Sequence, residues 1–202
     1  MKKILASVAL VVTAALTLTA CGDDSTNATG QSGASALPQG VNDADVTFAT
    51  EMIQHHAGAL AMVDMTMGRK LDPEVQSLAE DIRAAQTPEI ETMSDWLQEW
   101  DQPVPETVRD HANAHGGGSG GDMGSQMPGM MSAKEMAELE GMPDAEFQDA
   151  WLRAMIEHHQ GAIEMANTEQ ADGENPDAIA LAKKIAADQE AEITTIKQML
   201  DS

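Results

Sequence analysis

The sequence predicts an all-α fold, a four-helix bundle built from two duplicated helical hairpins. An eight-residue motif at 52–59, Met-Ile-Gln-His-His-Ala-Gly-Ala, recurs at 155–162 as Met-Ile-Glu-His-His-Gln-Gly-Ala. Matching residues continue at the same spacing between the two copies as far as Leu97 and Leu200. A match of this length indicates a duplicated two-helix unit and not a short chance match. Apolar residues recur at helical spacing in both copies. Because neither hairpin alone can hide its apolar stripe, the two are expected to stack on each other.

Two long helices are predicted in the first hairpin. The first begins at a cap formed by Asn42 or Asp43 and runs to about residue 67, since a short polar side chain before an apolar periodic stretch is typical of a helix start. The second spans about 73–100, with a proline at its first position. Pro88 lies inside this helix and is expected to kink or split it.

The second hairpin repeats this arrangement after a short additional helix. The short helix is expected at about 132–140, and the third long helix is capped by Asp144 and runs to about 170. The fourth begins at Asn175-Pro176 and continues to about residue 200. A glycine- and methionine-rich stretch between the hairpins is long enough to serve as the crossover connection.

The amino terminus resembles a bacterial lipoprotein signal. Lys2 and Lys3 precede a short apolar stretch that ends Leu-Thr-Ala-Cys-Gly, and Cys21 is the only cysteine in the chain. A lipobox of this kind predicts lipidation at Cys21 and an extracytoplasmic protein anchored to the membrane, on its periplasmic or cell-surface face. The alternative is an ordinary signal peptide with an incidental cysteine. The expected parts are a signal peptide (1–21), a flexible tether (22–41) and a helical domain (42–202), which divides into hairpin 42–103, linker 104–131 and hairpin 132–202.

The net charge of the chain is −23. An acidic surface cannot replace the counterions of phosphate groups, so nucleic acid is excluded as a partner. The charge favours solubility and raises the local concentration of cations modestly.

Both histidine pairs are predicted to lie on the stripe that should be buried. On a helical wheel, His55 and His56 fall near Met52 and Met62, and the second copy repeats this arrangement. On the partner helices, four polar residues also fall near the apolar stripe: Gln86, Glu89, Gln189 and Glu192.

Two interpretations of these polar residues remain open. The first is a hydrogen-bonded core network with methionine as filler. The second is a copper site, since imidazole and thioether together suit copper or its mimic silver. In a copper site these four residues would orient the imidazoles from the second coordination shell. Adjacent imidazoles diverge, so each ring should take a different partner.

A di-iron site is disfavoured because no Glu-x-x-His occurs in the motif. The linker region adds six methionines between 123 and 142. Clustered thioethers suit the capture of cuprous ion, although Met136, together with Leu139, could simply pack a small helix on the bundle. His111 and His115 are four residues apart and could form an auxiliary site if that stretch is helical.

The doubled motif, the downstream Gln-x-x-Glu-Ile and the Gly-Met-Met-Ser at 129–132 resemble the domain of unknown function 305 family. The resemblance covers about 42–202. It implies a ferritin-like helical fold and extracytoplasmic copper binding, since the family includes CopM-like periplasmic copper-binding proteins. The ligands it implies by position are Met52, His55, His56, Met62, Met155, His158, His159 and Met165, followed by Met130 and Met131.

The sequence therefore predicts a lipid-anchored copper-binding protein that buffers or carries the metal for copper homeostasis or tolerance. Cu(I) is favoured, with Cu(II) as the second choice, and a copper donor or acceptor protein is an expected partner. No nucleophile or acid–base pair stands out, so no enzymatic activity is expected. The alternatives are a metal-dependent redox enzyme on the same fold and a structural or interaction module with a core histidine network.

Overall fold

The computed structural model describes residues 36–107 and 127–202, and both stretches belong to one structural unit, 35–202. This part of the chain contains helices and no strands, which confirms the all-α class. The helices are α1 (Asp43–Asp64), α2 (Pro73–Glu99), α3 (Ala133–Glu140), α4 (Asp144–Asp172) and α5 (Pro176–Leu200). None of these helices is long and apolar enough to cross a membrane. The predicted signal peptide, Cys21 and most of the tether lie outside the described residues.

Two hairpins organise the domain. α1 packs on α2, α4 packs on α5, and the hairpins meet mainly where α1 contacts α4. α1 and α4 run antiparallel where they meet, because Met52 shares an apolar cluster with Met165 while Met62 shares the other with Met155. The indole nitrogen of Trp151 links the two helices by donating to the Met62 carbonyl at 2.9 Å.

Helix starts follow local capping chemistry, with one correction. Asn42 Oδ1 accepts hydrogen bonds from the backbone of Ala44 and Asp45, and the Asp45 carboxylate accepts from the Asn42 backbone, which forms a capping box. Asp144 was expected to cap α4, but it is the first helical residue, and Pro143 holds the cap position without a side-chain bond. The Asp144 carboxylate instead contacts Arg69 and the backbone of Lys70, in the turn between α1 and α2.

Two expected boundaries also differ from the sequence prediction. α1 ends at Asp64 and not near residue 67, because the chain turns at 65–68 and Gly68 has a positive φ of 76°. α2 is not split at Pro88 but continues to Glu99. Pro88 and Ala84, whose carbonyl loses its helical partner, both lie on the exposed face, where water can satisfy that carbonyl.

Each end of the domain is closed by a contact between the first helix of one hairpin and the turn of the other. Asp45 accepts hydrogen bonds from the backbone of Glu174 and Asn175, in the turn between α4 and α5. Gln148, at the repeat-equivalent position, accepts from the Asp72 backbone at 2.8 Å and donates to its carboxylate. The contact therefore recurs at both ends, but its carboxylate belongs to the helix at one end, as Asp45, and to the turn at the other, as Asp72.

A buried carboxyl pair, Asp45 and Glu169, makes one end of the domain sensitive to pH. Burial, the hydrogen bond and charge of Asp45, and the charge of Asp172 together raise the pKa of Glu169 from its ordinary 4.5 to about 8. Glu169 therefore keeps a proton near neutral pH and can donate it to Asp45. The repeat-equivalent residue is Thr66, which has no charge to titrate.

We expect the free energy of unfolding to fall as pH rises from about 4.5 to 8, because a raised folded-state pKa stabilises the domain only while the group is protonated. The loss should be on the order of 2–4 kcal/mol, discounted for the solvent that reaches this end of the domain. Urea unfolding at several pH values tests this, with Glu169→Gln as the comparison. The variant should lose most of the decline between pH 5 and 8.5, and an unchanged decline would show that another group causes it.

Candidate metal centre

The two histidine pairs lie at the centre of the α1–α4 contact. Each imidazole is almost completely buried, from 0% exposure for His55 to 1% for His158. The His55 and His158 rings face each other with their centroids 3.8 Å apart. The structure thus places the repeated pairs on the buried face, and it brings together the equivalent histidines of the two copies.

The other histidine of each pair turns away to a carboxylate on the partner helix. His56 Nε2 lies 2.9 Å from Glu89 Oε2, and His159 Nε2 lies 2.5 Å from Glu192 Oε2. Adjacent rings therefore take different partners, as their divergence on the helix predicts. Lys184 Nζ also binds Glu89, at 2.9 Å.

Hydrogen bonding at Glu89 keeps its carboxylate charged. Burial alone would raise the pKa of Glu89, but the hydrogen bond with His56 and the hydrogen bond and positive charge of Lys184 outweigh burial and lower it. A charged acceptor beside a histidine fixes the ring orientation and increases the basicity of the other ring nitrogen.

The hydrogen bonds also decide which ring nitrogen carries a lone pair. Nε2 of His55 lies 3.0 Å from the Pro128 carbonyl, an acceptor that requires Nε2 to donate. A neutral ring that donates through Nε2 has its lone pair on Nδ1. Nδ1 of His55, of His56 and of His159 is buried and has no hydrogen-bond partner among residues 36–107 and 127–202.

The two facing imidazoles stay neutral over the physiological range. Burial lowers the pKa of His55 to about 3 and lowers that of His158 well below its ordinary value. Neither ring nitrogen of His158 has a hydrogen-bond partner within the described part of the chain. Buried polar atoms without partners are rare in proteins, and neutral imidazole nitrogens are metal ligands.

A short segment that we call the strap, residues 128–131, covers this pair of rings. The strap passes so close to α4 that a Cβ atom on Gly161 would lie 1.9 Å from the Pro128 carbonyl oxygen. On the α1 side, a Cβ atom on Gly58 would lie 3.0 Å from Met130 Sδ and 3.3 Å from His158 Nε2. The two motif glycines therefore make room for the strap, and Met130 Sδ and His158 Nε2 border the same space.

The four motif methionines lie in the apolar core on either side of the histidines. Met52 and Met165 belong to one apolar cluster and Met62 and Met155 to the other, while Met131 is partly buried against the second. Within the described ranges, no three His, Cys, Asp or Glu side chains converge to hold a metal ion. A site here with three side-chain ligands would therefore need a thioether, and the structure places the thioether of Met130 beside the imidazole of His158.

The four predicted orienting residues fall into two groups. Glu89 and Glu192 contact histidines directly. Gln86 and Gln189 are buried, but both side-chain amide atoms of Gln86 and Oε1 of Gln189 have no hydrogen-bond partner in the described chain. The predicted auxiliary residues His111 and His115, like Met123, lie outside the described residues.

Sequence reasoning did not identify Pro128 or Lys184. Pro-Gly at 128–129 is a turn signal directly before two methionines, and it could have suggested a backbone turn near the site. Lys184 had no such signal, because the equivalent position in the first copy is Asp81.

Comparison with known proteins identifies the family. The family model described as Domain of unknown function (DUF305) matches residues 45–200, and the chain belongs to this family. The structure is similar to a DUF305 fragment from Deinococcus radiodurans, with a TM-score of 0.68 and 31% identity over 80% of this chain and 97% of that one. No functionally curated protein matches the chain.

The structure is also similar to a protein called CopM. CopM in its Cu(II)-bound form has a TM-score of 0.62 and 31% identity, over 78% of this chain and 95% of that one. Its Cu(I)-bound form has a TM-score of 0.60 and 28% identity over the same shares of the two chains. The resemblance expected from the motif, to DUF305 and CopM-like proteins, is thus confirmed.

Alanine at the two motif glycines should have unequal effects. Gly161→Ala should cost about 2 kcal/mol or more, because its methyl group meets backbone that cannot move without displacing the strap. Gly58→Ala is the matched control, since its methyl group meets the flexible end of Met130, and the gain in helix propensity of up to about 1 kcal/mol offsets the contact. Urea unfolding of both variants checks this. Equal stability of the two variants would contradict the strap's position over α4.

Proposed function

We propose that this protein binds copper outside the cytoplasm and acts as a buffer or carrier, not as an enzyme. The metal would lie at the α1–α4 contact, with His55, His158 and Met130 as its ligands. The observation that carries the proposal is the buried set of neutral imidazole nitrogens without hydrogen-bond partners, with one thioether beside them.

The ligand chemistry favours Cu(I) over Cu(II). Thioether and neutral imidazole are donors that suit cuprous ion, and the burial of both rings disfavours a second positive charge without a carboxylate to balance it. Similarity to CopM, which has been solved with Cu(I) and with Cu(II), supports copper as the metal.

The residues around the site would supply orientation. The Pro128 carbonyl holds His55 so that Nδ1 is its free nitrogen, and Glu89 and Glu192 do the same for His56 and His159. Metal-binding histidines commonly donate their other N–H to such an acceptor. His56 and His159 are therefore prepared as additional ligands. The motif methionines Met52, Met62, Met155 and Met165 would supply soft apolar surroundings and further thioethers.

The lipobox supports the location. We infer that Cys21 is lipidated and that the helical domain is held at the outer face of the cytoplasmic membrane or at the cell surface by its tether. A donor or acceptor protein for copper would meet it there.

A competition titration with cuprous ion and a chelator of known affinity tests the proposal. The His55→Ala/His158→Ala double variant should bind copper at least about 100-fold more weakly than the parent, since it loses two ligands. The control is His111→Ala/His115→Ala, which removes the same number of imidazoles from the linker segment and should change affinity little.

Circular dichroism and urea unfolding show whether each variant is folded. If the His55/His158 variant is folded and binds copper as tightly as the parent, the histidines are a core network and the proposal is wrong. Equal losses in both double variants would also contradict the assigned site.

A further inference from the structure

The four imidazoles at the α1–α4 contact are closed off from solvent. Each is 0% or 1% exposed, so a ligand or a reagent can reach them only after part of the domain moves. The four long helices are poorly suited to such a movement, because each of them buries at least seven residues. The strap and α3, which follows it directly, differ from these helices: between residues 128 and 140 only Leu139 is buried.

The strap is weakly attached to the helices that it crosses. Within the described ranges, one hydrogen bond joins it to α1, between His55 Nε2 and the Pro128 carbonyl at 3.0 Å. The strap backbone lies against α4 at Gly161, but none of the backbone hydrogen bonds between described residues connects the two segments. A segment with few buried side chains and few hydrogen bonds to its surroundings opens at a low cost in free energy.

Arg69, in the turn between α1 and α2, fixes the other end of α3. Its guanidinium group donates to the carbonyl of Glu140, the last residue of α3, and to the Met142 carbonyl at 2.8 Å. The same group donates to the Asp144 carboxylate at 3.2 Å and lies 3.9 Å from the centroid of the Phe147 ring. The planar fork of a guanidinium holds several acceptors in a fixed arrangement. The carboxyl-terminal end of α3 is therefore clamped to the first hairpin.

Firm attachment at one end and weak attachment at the other make the strap and α3 a hinged unit, which we call the flap (128–140). We propose that the flap opens about the Arg69 clamp and that its opening gives access to His55 and His158. Arg69 is then a positioning residue, because it fixes where the closed flap holds Met130 although none of its hydrogen bonds reaches a proposed ligand. The opening itself does not depend on copper, whereas its role as the entry route for the metal rests on the proposed function.

Acylation of histidine by diethylpyrocarbonate, followed by peptide mass spectrometry of the full chain without metal, tests the flap. The reagent reacts with a neutral imidazole nitrogen that carries a lone pair, so His158 should react only while the flap is open. Arg69→Met removes every hydrogen bond of the guanidinium and should accelerate acylation of His158 about tenfold. Arg83→Met is the matched control, because the ion pairs of Arg83, with Asp64 and Glu80, lie within the first hairpin. It should change the rate little.

Backbone hydrogen exchange separates opening of the flap from unfolding of the whole domain. In Arg69→Met, the amides of α3 should exchange about tenfold faster while those of α5 keep the rate of the parent. Leu139→Ala is a second variant that should act in the same way, because it removes the one buried side chain of α3 and leaves the clamp in place. Equal acceleration in α3 and α5 would overturn the hinged unit. Faster exchange in α3 without faster acylation of His158 would overturn the flap as the route to the imidazoles.

The rate of copper uptake separates this inference from the proposed function. Transfer from a cuprous chelate should be about tenfold faster to Arg69→Met than to the parent or to Arg83→Met, in proportion to the opening of the flap. If the acylation and exchange results hold but the protein binds no copper, the flap stands and the proposed function fails. If the protein binds copper at a rate that Arg69→Met leaves unchanged, the proposed function stands and the flap is not the entry route.

Discussion

The structure depends on four imidazoles buried at the contact between α1 and α4. A buried imidazole must find a hydrogen-bond acceptor or lose solvation without compensation. Three of the rings donate through Nε2, to the Pro128 carbonyl, Glu89 and Glu192. These acceptors come from the strap and from the partner helix of each hairpin, so satisfying the histidines also fixes how the hairpins and the strap pack. The remaining free nitrogens are what makes the contact suitable for a metal.

The two hairpins share the motif and its spacing but not the same chemistry. The motif glycines illustrate this: Gly58 accommodates the Met130 side chain, and Gly161 accommodates the backbone of Pro128. Glu89 is bound by Lys184, which has Asp81 as its equivalent, and Glu169 has Thr66 as its equivalent. The strap sequence, Pro-Gly-Met-Met, occurs once in the chain. The strap therefore breaks the symmetry at the centre, and the Asp45–Glu169 pair breaks it at one end.

Most of the fold could be predicted from the sequence because it depends on periodic, local signals. The predicted starts of α1 at Asn42 and of α5 at Asn175-Pro176 both correspond to the structure. The end of α1 was placed too late because the turn before Gly68 begins already at residue 65. The continuity of α2 at Pro88 could not be predicted, since it depends on which face of that helix meets water.

The candidate site was predictable only in part. The helical wheel predicted that the histidines are buried. It also predicted that Glu89 lies near them, because Glu89 falls close to the apolar stripe of the partner helix. The meeting of His55 with His158 and the position of Pro128 depend on how the hairpins pack, which spacing along the chain does not define. The family resemblance implied Met130 as a ligand without a structural reason. The structure supplies that reason, because the Met130 sulfur borders the same space as His158 Nε2.

X-ray absorption at the copper edge of the Cu(I)-loaded protein tests the central claim most directly. The predicted spectrum shows nitrogen and sulfur scatterers together in the first shell, and Met130→Leu lowers the sulfur contribution while nitrogen remains. A first shell with no nitrogen, or sulfur that is unchanged in Met130→Leu, would contradict a centre formed by the facing imidazoles and the strap methionine.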